Sequence, residues 1–438
     1  RARKFRSFFT RPHSTRPAVI AVAVMVLAGA ARAQFEQYIG PGTLGVQPVP
    51  TKERFEDAMK EAPYRLGALR LGLWFALQDV SWVSNVYGTT VNPVSDFTAT
   101  ASFGVHAYLP AGPKLVFALY ALPEYVWWHD LSYLRSWNGK YGLGVFGYFN
   151  RVTLELQAGD WRTQEFYSTV NPIPVNEQQQ RGAATLEVAV LGRLSLFGNL
   201  WQDRWRYENQ TTLEQAGEIL QLSDRNETLV GGGLRYRFAD WFALAISYES
   251  LTTDFLTETA SRSNSGGGPT LEFDLKAHHL WAAARLTDLS LRAEGGSGFP
   301  PFDGTTGHVQ VGWKPGAKLE WQLYGGRTLS YTLFALDSYY VDQRWGLGLQ
   351  SPLGWRTTAR IFWEQGRDEY PPPDGSQSTR TTDFASYGVT LSVEVGSGMA
   401  VQFEGSRTSY SSIVSDDNRA VTRILMTLNF AGAGSQWW

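Results

Sequence analysis

Side chains able to do acid–base, nucleophilic or metal chemistry are few in these 438 residues: there are six histidines and no cysteine. Without cysteine, a thiol nucleophile, a thiolate zinc or iron–sulfur centre, a disulfide scaffold and a covalently tethered haem are excluded. His278 and His279 are adjacent, and on a strand neighbouring side chains point to opposite faces, so such a pair cannot share a metal. His13 falls in a basic leader, His106 and His308 are isolated, and His129-Asp130 lacks the third group of a hydrolytic site. The runs Gly231–Gly233 and Gly266–Gly268 are not followed by the Lys-Ser/Thr and helix of a phosphate loop. Asp416-Asp417-Asn418 has ligand types suited to Ca²⁺, but reads more simply as a solvated loop. The expectation is a chain that is not an enzyme, with no catalytic, metal or cofactor residue and no cofactor.

The elements around these residues explain why chemistry is sparse. Residues 1–17 carry Arg1, Arg3, Lys4, Arg6, Arg11 and Arg16 and no acid, followed by an apolar run over 18–30 and Ala31-Arg32-Ala33 before Gln34. A basic segment, a short apolar core and an Ala-x-Ala site predict a secretory signal peptide over 1–33, cleaved between Ala33 and Gln34. The apolar run is too short to span a bilayer comfortably. The whole chain has a net charge of −2, and without the basic leader the exported part is acidic, which gives no support for a nucleic-acid partner. Residues 34–63 read as a periplasmic linker, extended through Pro41, Pro48 and Pro50, with a short helix over 51–62 whose Phe55 and Met59 form a small apolar stripe.

From residue 64 onward the periodicity is two. In 422–430, Ile424, Met426, Leu428 and Phe430 oppose Arg423, Thr427 and Asn429; in 389–395, Val389, Leu391, Val393 and Val395 oppose Thr390, Ser392 and Glu394; in 151–158, Val152, Leu154, Leu156 and Ala158 oppose Thr153, Glu155 and Gln157. Each strand thus has an apolar and a polar side. Short turns are expected near 110–113, 150–151, 192–193, 239–240, 287–288, 315–317, 351–354 and 396–398. Longer polar loops are expected around 79–94, 130–138, 169–180, 209–226, 257–270, 299–304, 332–338, 369–380 and 411–418. Alternating short and long connections and an even strand count mark an all-β, transmembrane antiparallel β-barrel over 64–430. About 18 strands are expected, with 16 possible, short turns periplasmic and long loops extracellular. Residues 431–438 form a C-terminal tail beyond a last strand ending in an aromatic residue. Such a barrel belongs in the outer membrane of a Gram-negative bacterium, with the surrounding lipid and the barrel-assembly machinery as partners.

Alternation assigns Glu155, Gln157, Arg235, Arg237, Arg292, Glu294, Glu320, Gln322, Arg356, Arg360, Glu364, Glu394, Gln402, Glu404 and Arg423 to the lumen. For any one of these, a cross-strand ion pair within the wall is as good a reading as contact with solute. Trp127, Trp128, Trp205, Trp241, Trp313, Trp355 and Trp363 lie near strand ends and are candidates for the aromatic girdles at the two membrane interfaces.

Tyr64-Arg-Leu-Gly-Ala-Leu-Arg-Leu71, leading to Asn85-Val-Tyr87, with Gly104 and the 110–113 turn, resembles the opening of outer-membrane β-barrels of the porin type associated with exopolysaccharide export. That resemblance implies an 18-stranded pore working with a periplasmic polysaccharide exporter, and supplies no catalytic residue. The functional expectation is therefore a pore for exported polysaccharide. The alternatives are a general or substrate-selective diffusion porin, marked by an inward-folded loop with 209–226 and 257–270 as candidates, and a structural or adhesive barrel.

Overall fold

A computed structural model describes residues 51–430 except 88, 90–91, 167–173, 209–222, 258–261, 317, 333–337, 355, 373–378, 397 and 413–417. The expected signal peptide with its Ala33–Gln34 junction, the 34–50 linker and the 431–438 tail lie outside the described residues.

Helix α1 (Thr51–Glu61) and the three-residue strand β1 (Tyr64–Leu66) lead into β2 (Leu69–Val83), β3 (Asp96–Pro110), β4 (Leu115–Trp128), β5 (Ser136–Tyr148) and β6 (Val152–Phe166). The chain continues through β7 (Pro174–Leu191), β8 (Leu194–Glu208), β9 (Arg225–Ala239), β10 (Phe242–Phe255), β11 (Asn264–Lys276), β12 (Leu280–Ala293) and β13 (Phe302–Gly316). It ends with β14 (Leu319–Tyr331), β15 (Tyr339–Gly354), β16 (Thr357–Tyr370), β17 (Arg380–Glu394), β18 (Met399–Ser412) and β19 (Arg419–Phe430). Each strand from β2 onward pairs antiparallel with the next, and β19 pairs back onto β2, with Ile424 opposite Trp82 and Phe430 opposite Phe75. The result is a closed barrel of 18 strands, with β1 an extra flap on β2. Closure satisfies every edge, the condition for a sheet to sit in lipid.

One expected turn is misplaced. Thr287 and Asp288 lie inside β12, and the chain reverses instead at 277–279, between β11 and β12. The long connections are shorter than expected where strands extend above the membrane: 264–270 belongs to β11 and 174–180 to β7.

The outward faces carry a continuous apolar belt, including Leu186, Leu196, Leu200, Val230, Leu234, Ile246 and Leu323, all exposed on the isolated chain. Inward faces mix polar and aromatic side chains. Large inward rings lie over glycines of the neighbouring strand: Trp74 over Gly104 and Tyr324 over Gly346, where any Cβ would collide with the ring. Glycine frees the space an aromatic needs on the concave wall, and this cross-strand pairing accounts for part of the chain's 44 glycines and its 14% of aromatic residues.

Candidate functional site

The lumen is where polar groups converge. Glu155, Gln157, Arg235, Arg237, Glu320, Gln322, Arg360, Glu364, Glu394, Gln402, Glu404 and Arg423 share the inward faces of their strands. Several are tied into ion pairs. Arg235 sits between Glu187 and Glu272, at 3.4 Å from the latter, and Arg285 joins Glu272 at 3.0 Å to Glu249. A chain of alternating charge thus runs across the wall from β7 to β12. Arg344 is held by Asp342 and by Glu364 at 3.2 Å, Arg423 by Asp79 at 2.9 Å, and Glu320 by Lys314 at 3.1 Å. Asp79 has a φ of 48° and sits at a register shift in β2; a bulge of this kind re-aims a side chain, and here it brings the carboxylate to Arg423.

Three expected lumen residues are elsewhere. Arg292 falls on the outward face of β12 and pairs with Asp303 at 2.8 Å. Glu294 lies in the loop after β12, and Arg356 in the turn before β16 with a φ of 56°. Above the membrane both faces of a strand meet water, so a polar side chain there no longer signals the lumen. Among the girdle candidates, Trp128 and Trp205 are buried inward: Trp128 donates to Gln164 at 2.9 Å, and the Trp205 ring carries the Arg225 guanidinium at 5.1 Å. Adjacent Trp127 and Trp128 must face opposite sides, so at most one can meet lipid. Trp127 faces outward beneath Arg135, Trp241 lies exposed in the turn before β10, and Trp313 and Trp363 face outward. Trp355 lies outside the described residues.

The narrowing of the lumen comes from a segment that sequence reasoning missed. The β13–β14 pairing stops at Gly307 and Arg327, and beyond it the top of the β14–β15 hairpin leans into the barrel. Its Leu329, Tyr331, Tyr339 and Val341 pack against Leu229, Leu251, Leu289 and Leu291, which are buried on the inner wall of β9, β10 and β12. Polar contacts fix the landing. Arg262, 3% exposed, donates to the Thr332 carbonyl at 2.8 Å and to the Ser338 carbonyl at 3.3 Å. Asn264 donates to the Tyr331 hydroxyl at 2.9 Å, and the Arg225 guanidinium lies 5.0 Å from the Tyr331 ring. Residues 223–226 and 262–264, at the ends of the two loops expected to fold inward, are thus part of the receiving wall, while 209–222 and 258–261 lie outside the described residues; among the described residues it is the tips of β14 and β15 that turn inward. Their apolar side chains could pass for lipid-facing ones. Arg225, Glu227, Glu249 and Arg285, by contrast, follow the same alternation as their neighbours and were findable.

At the other end, α1 lies against the inner wall. Phe55 and Ala58 are buried among Tyr108, Val116, Ala118, Tyr120 and Phe146, at the periplasmic ends of β3, β4 and β5. Phe55 meets Phe146 at 4.1 Å between ring centroids and Tyr108 at 5.9 Å.

The histidines remain dispersed. His278 and His279 lie in a turn, not a strand, and their rings meet edge to face at 4.3 Å, so strand alternation does not apply to them. Asp96, His129 and Asp130 place ligand atoms within 4.8 Å of one another. The Asp96 carboxylate, however, accepts the backbone N–H groups of Phe97, Asp130 and Leu131, which makes it a staple for the β4–β5 loop.

No protein-family model and no curated protein matches the sequence. Solved structures do share the architecture. OccK2 (OpdF) of Pseudomonas aeruginosa, in complex with glucuronate, aligns with a TM-score of 0.51 at 11% identity over 82% of this chain and 98% of that one. OpdK of the same organism, with vanillate, gives 0.50 at 13% identity and the same coverages. A BenF-like porin from Pseudomonas fluorescens Pf-5 gives 0.50 at 10% identity, again covering 82% and 98%. At these identities the likeness is one of fold. Closed, belted with apolar side chains and narrowed from within, the chain is an 18-stranded antiparallel β-barrel with the fold of the outer-membrane porins.

Proposed function

We propose that this barrel is a substrate-selective diffusion porin for small solutes. The observation that carries the reading is the inward-folded β14–β15 tip, anchored to the inner wall of β9–β12 through Arg262 and Tyr331. A barrel of this strand number is wide enough for an aqueous channel unless something inside narrows it, and a narrowing lined by fixed charges is how such a channel discriminates. The wall facing the tip supports an anionic, flat solute. Arg380 lies over the Tyr370 ring at 4.1 Å and Arg419 over Tyr410 at 4.8 Å. Guanidinium forks match carboxylates and aromatic faces accept planar groups. The ligands named for two of the structural neighbours, glucuronate and vanillate, are both carboxylates, and vanillate is planar. Nothing in the structure or its neighbours links the chain to polymer export, so the diffusion porin replaces the export pore as the preferred reading.

The test is proteoliposome swelling with benzoate, glucuronate, glucose and arginine at equal concentration. The carboxylates should enter several-fold faster than glucose, and arginine slowest. Equal rates for all four would contradict selectivity, and no entry for any would favour a structural barrel.

A further inference from the structure

Above the apolar belt, the outer surface of β7, β8 and β9 changes character in register. Leu200 stands opposite Ala184 and Val230, all on the lipid side. Two residues further along β8, Gln202 stands opposite Gly182 and Thr228. Next, Arg204 faces Gln180 and Asn226, and then Arg206 faces Gln178. Each two-residue step climbs roughly 5 Å along the membrane normal for strands tilted by about 40°. The two arginines therefore sit one to two steps above the hydrocarbon, at the height of the outer-leaflet headgroups.

The same residues enclose a groove of about 710 Å³ lined by Gln180, Gln202, Arg204, Arg206 and Asn226, with Leu256 at its rim. No carboxylate lines it. Asp160, the nearest acid on β6, is occupied by Gln178 at 2.8 Å, and Asp224 accepts the Tyr207 N–H at 2.9 Å and reaches the Arg206 Nε at 3.7 Å. Among the described residues Arg204 enters no ion pair, although it stands exposed beside a second guanidinium. Keeping two like charges at i and i+2 on one face has a repulsive cost; Asp224 offsets it on the Arg206 side alone, and an anion bound at Arg204 would remove the rest.

We propose that this groove binds the phosphorylated glycolipid of the outer leaflet, lipid A. Its chemistry matches the surface from top to bottom. The sugar phosphates meet the Arg204 and Arg206 forks, which pair with phosphate oxygens bidentately. The sugar hydroxyls meet the amides of Gln180, Gln202 and Asn226, which both donate and accept. The acyl chains continue down the Leu200 and Val230 face. A second copy of this barrel would need a flat apolar surface at this level, and the groove is concave and polar.

The experiment uses the full exported chain refolded in detergent without lipopolysaccharide. Native mass spectrometry then measures its binding of bis-phosphorylated lipid A, dephosphorylated lipid A and phosphatidylglycerol. The wild type should favour bis-phosphorylated lipid A by tenfold or more over both other lipids. R204Q/R206Q should abolish that preference, and R193Q, at the β7–β8 turn on the opposite rim, should keep it. Equal binding of dephosphorylated lipid A or of phosphatidylglycerol would overturn the proposal, as would an unchanged preference in R204Q/R206Q or its equal loss in R193Q. Should R204Q/R206Q fail to give the heat-modifiable band of a folded barrel, the wild-type comparison of lipid A with and without phosphates decides alone.

Discussion

The Arg262 guanidinium donates to the backbone carbonyl of Thr332 at 2.8 Å, joining the start of β11 to the far end of β14 across the inside of the barrel. Seventy residues separate the two in sequence, and intervening strands separate them in the wall. Only a hairpin top that folds inward brings them together. The contact is therefore the signature of the constriction on which the functional reading rests.

The apolar landing beneath that contact should be separable from the barrel itself. Leu291 is fully buried between the wall and the tip, and L291A removes about 2–5 kcal/mol of packing there. Strand pairing and lipid-facing area are untouched. Heat-modifiability on gels should stay close to wild type, while single-channel traces should become noisier as the tip detaches. A collapse of folding with no change in channel noise among the surviving molecules would count against a separable tip.

The wall network predicts an asymmetry between partners. Glu249 is 1% exposed and its guanidinium partner is Arg285. R285Q leaves a buried carboxylate without its countercharge, a change that costs about 3–5 kcal/mol. R285M/E249L removes both charges and should recover much of that loss. Urea unfolding in lipid vesicles measures both, and a double variant no more stable than R285Q would contradict the pairing.

Ile246 tests which surface meets hydrocarbon. Ile246 lies outward within the belt at 59% exposure, so I246R should cost about 2–4 kcal/mol in a bilayer. An I246R barrel as stable in vesicles as the wild type would place the belt elsewhere.

Phe55 anchors α1. F55A should release the helix from the Tyr108–Phe146 wall and let it unwind, so that trypsin cuts at Lys52 and Lys60, whose side chains are exposed already. Faster cleavage there, with the barrel intact, is the expected result. Equal protection in both proteins would mean that something other than the Phe55 contact holds the helix.

The pattern of what sequence reasoning read and misread follows from the membrane. Within the belt, alternation between lipid and water is strict, and Leu156, Glu155 and Gln157 sort without ambiguity. Above it the rule lapses: Asp288 and Arg292 face outward into water, so the Thr287-Asp288 pair imitated a turn and Arg292 a lumen residue. Trp128 and Trp205 were assigned by closeness to strand ends, where strand parity would have turned them inward. The β14–β15 tip was hidden for a different reason. Leu329 and Val341 look like belt residues, and only the three-dimensional crossing reveals that they bury against another wall.

Single-channel conductance in planar bilayers, comparing the wild type with R262Q/Y331A, tests the central claim most directly. Those substitutions remove the hydrogen bonds and the ring that hold the tip against the inner wall while leaving every strand pair in place. A constricting tip predicts small wild-type steps and a rise of about twofold or more in the variant. Identical conductance in the two proteins, or none in either, would contradict it.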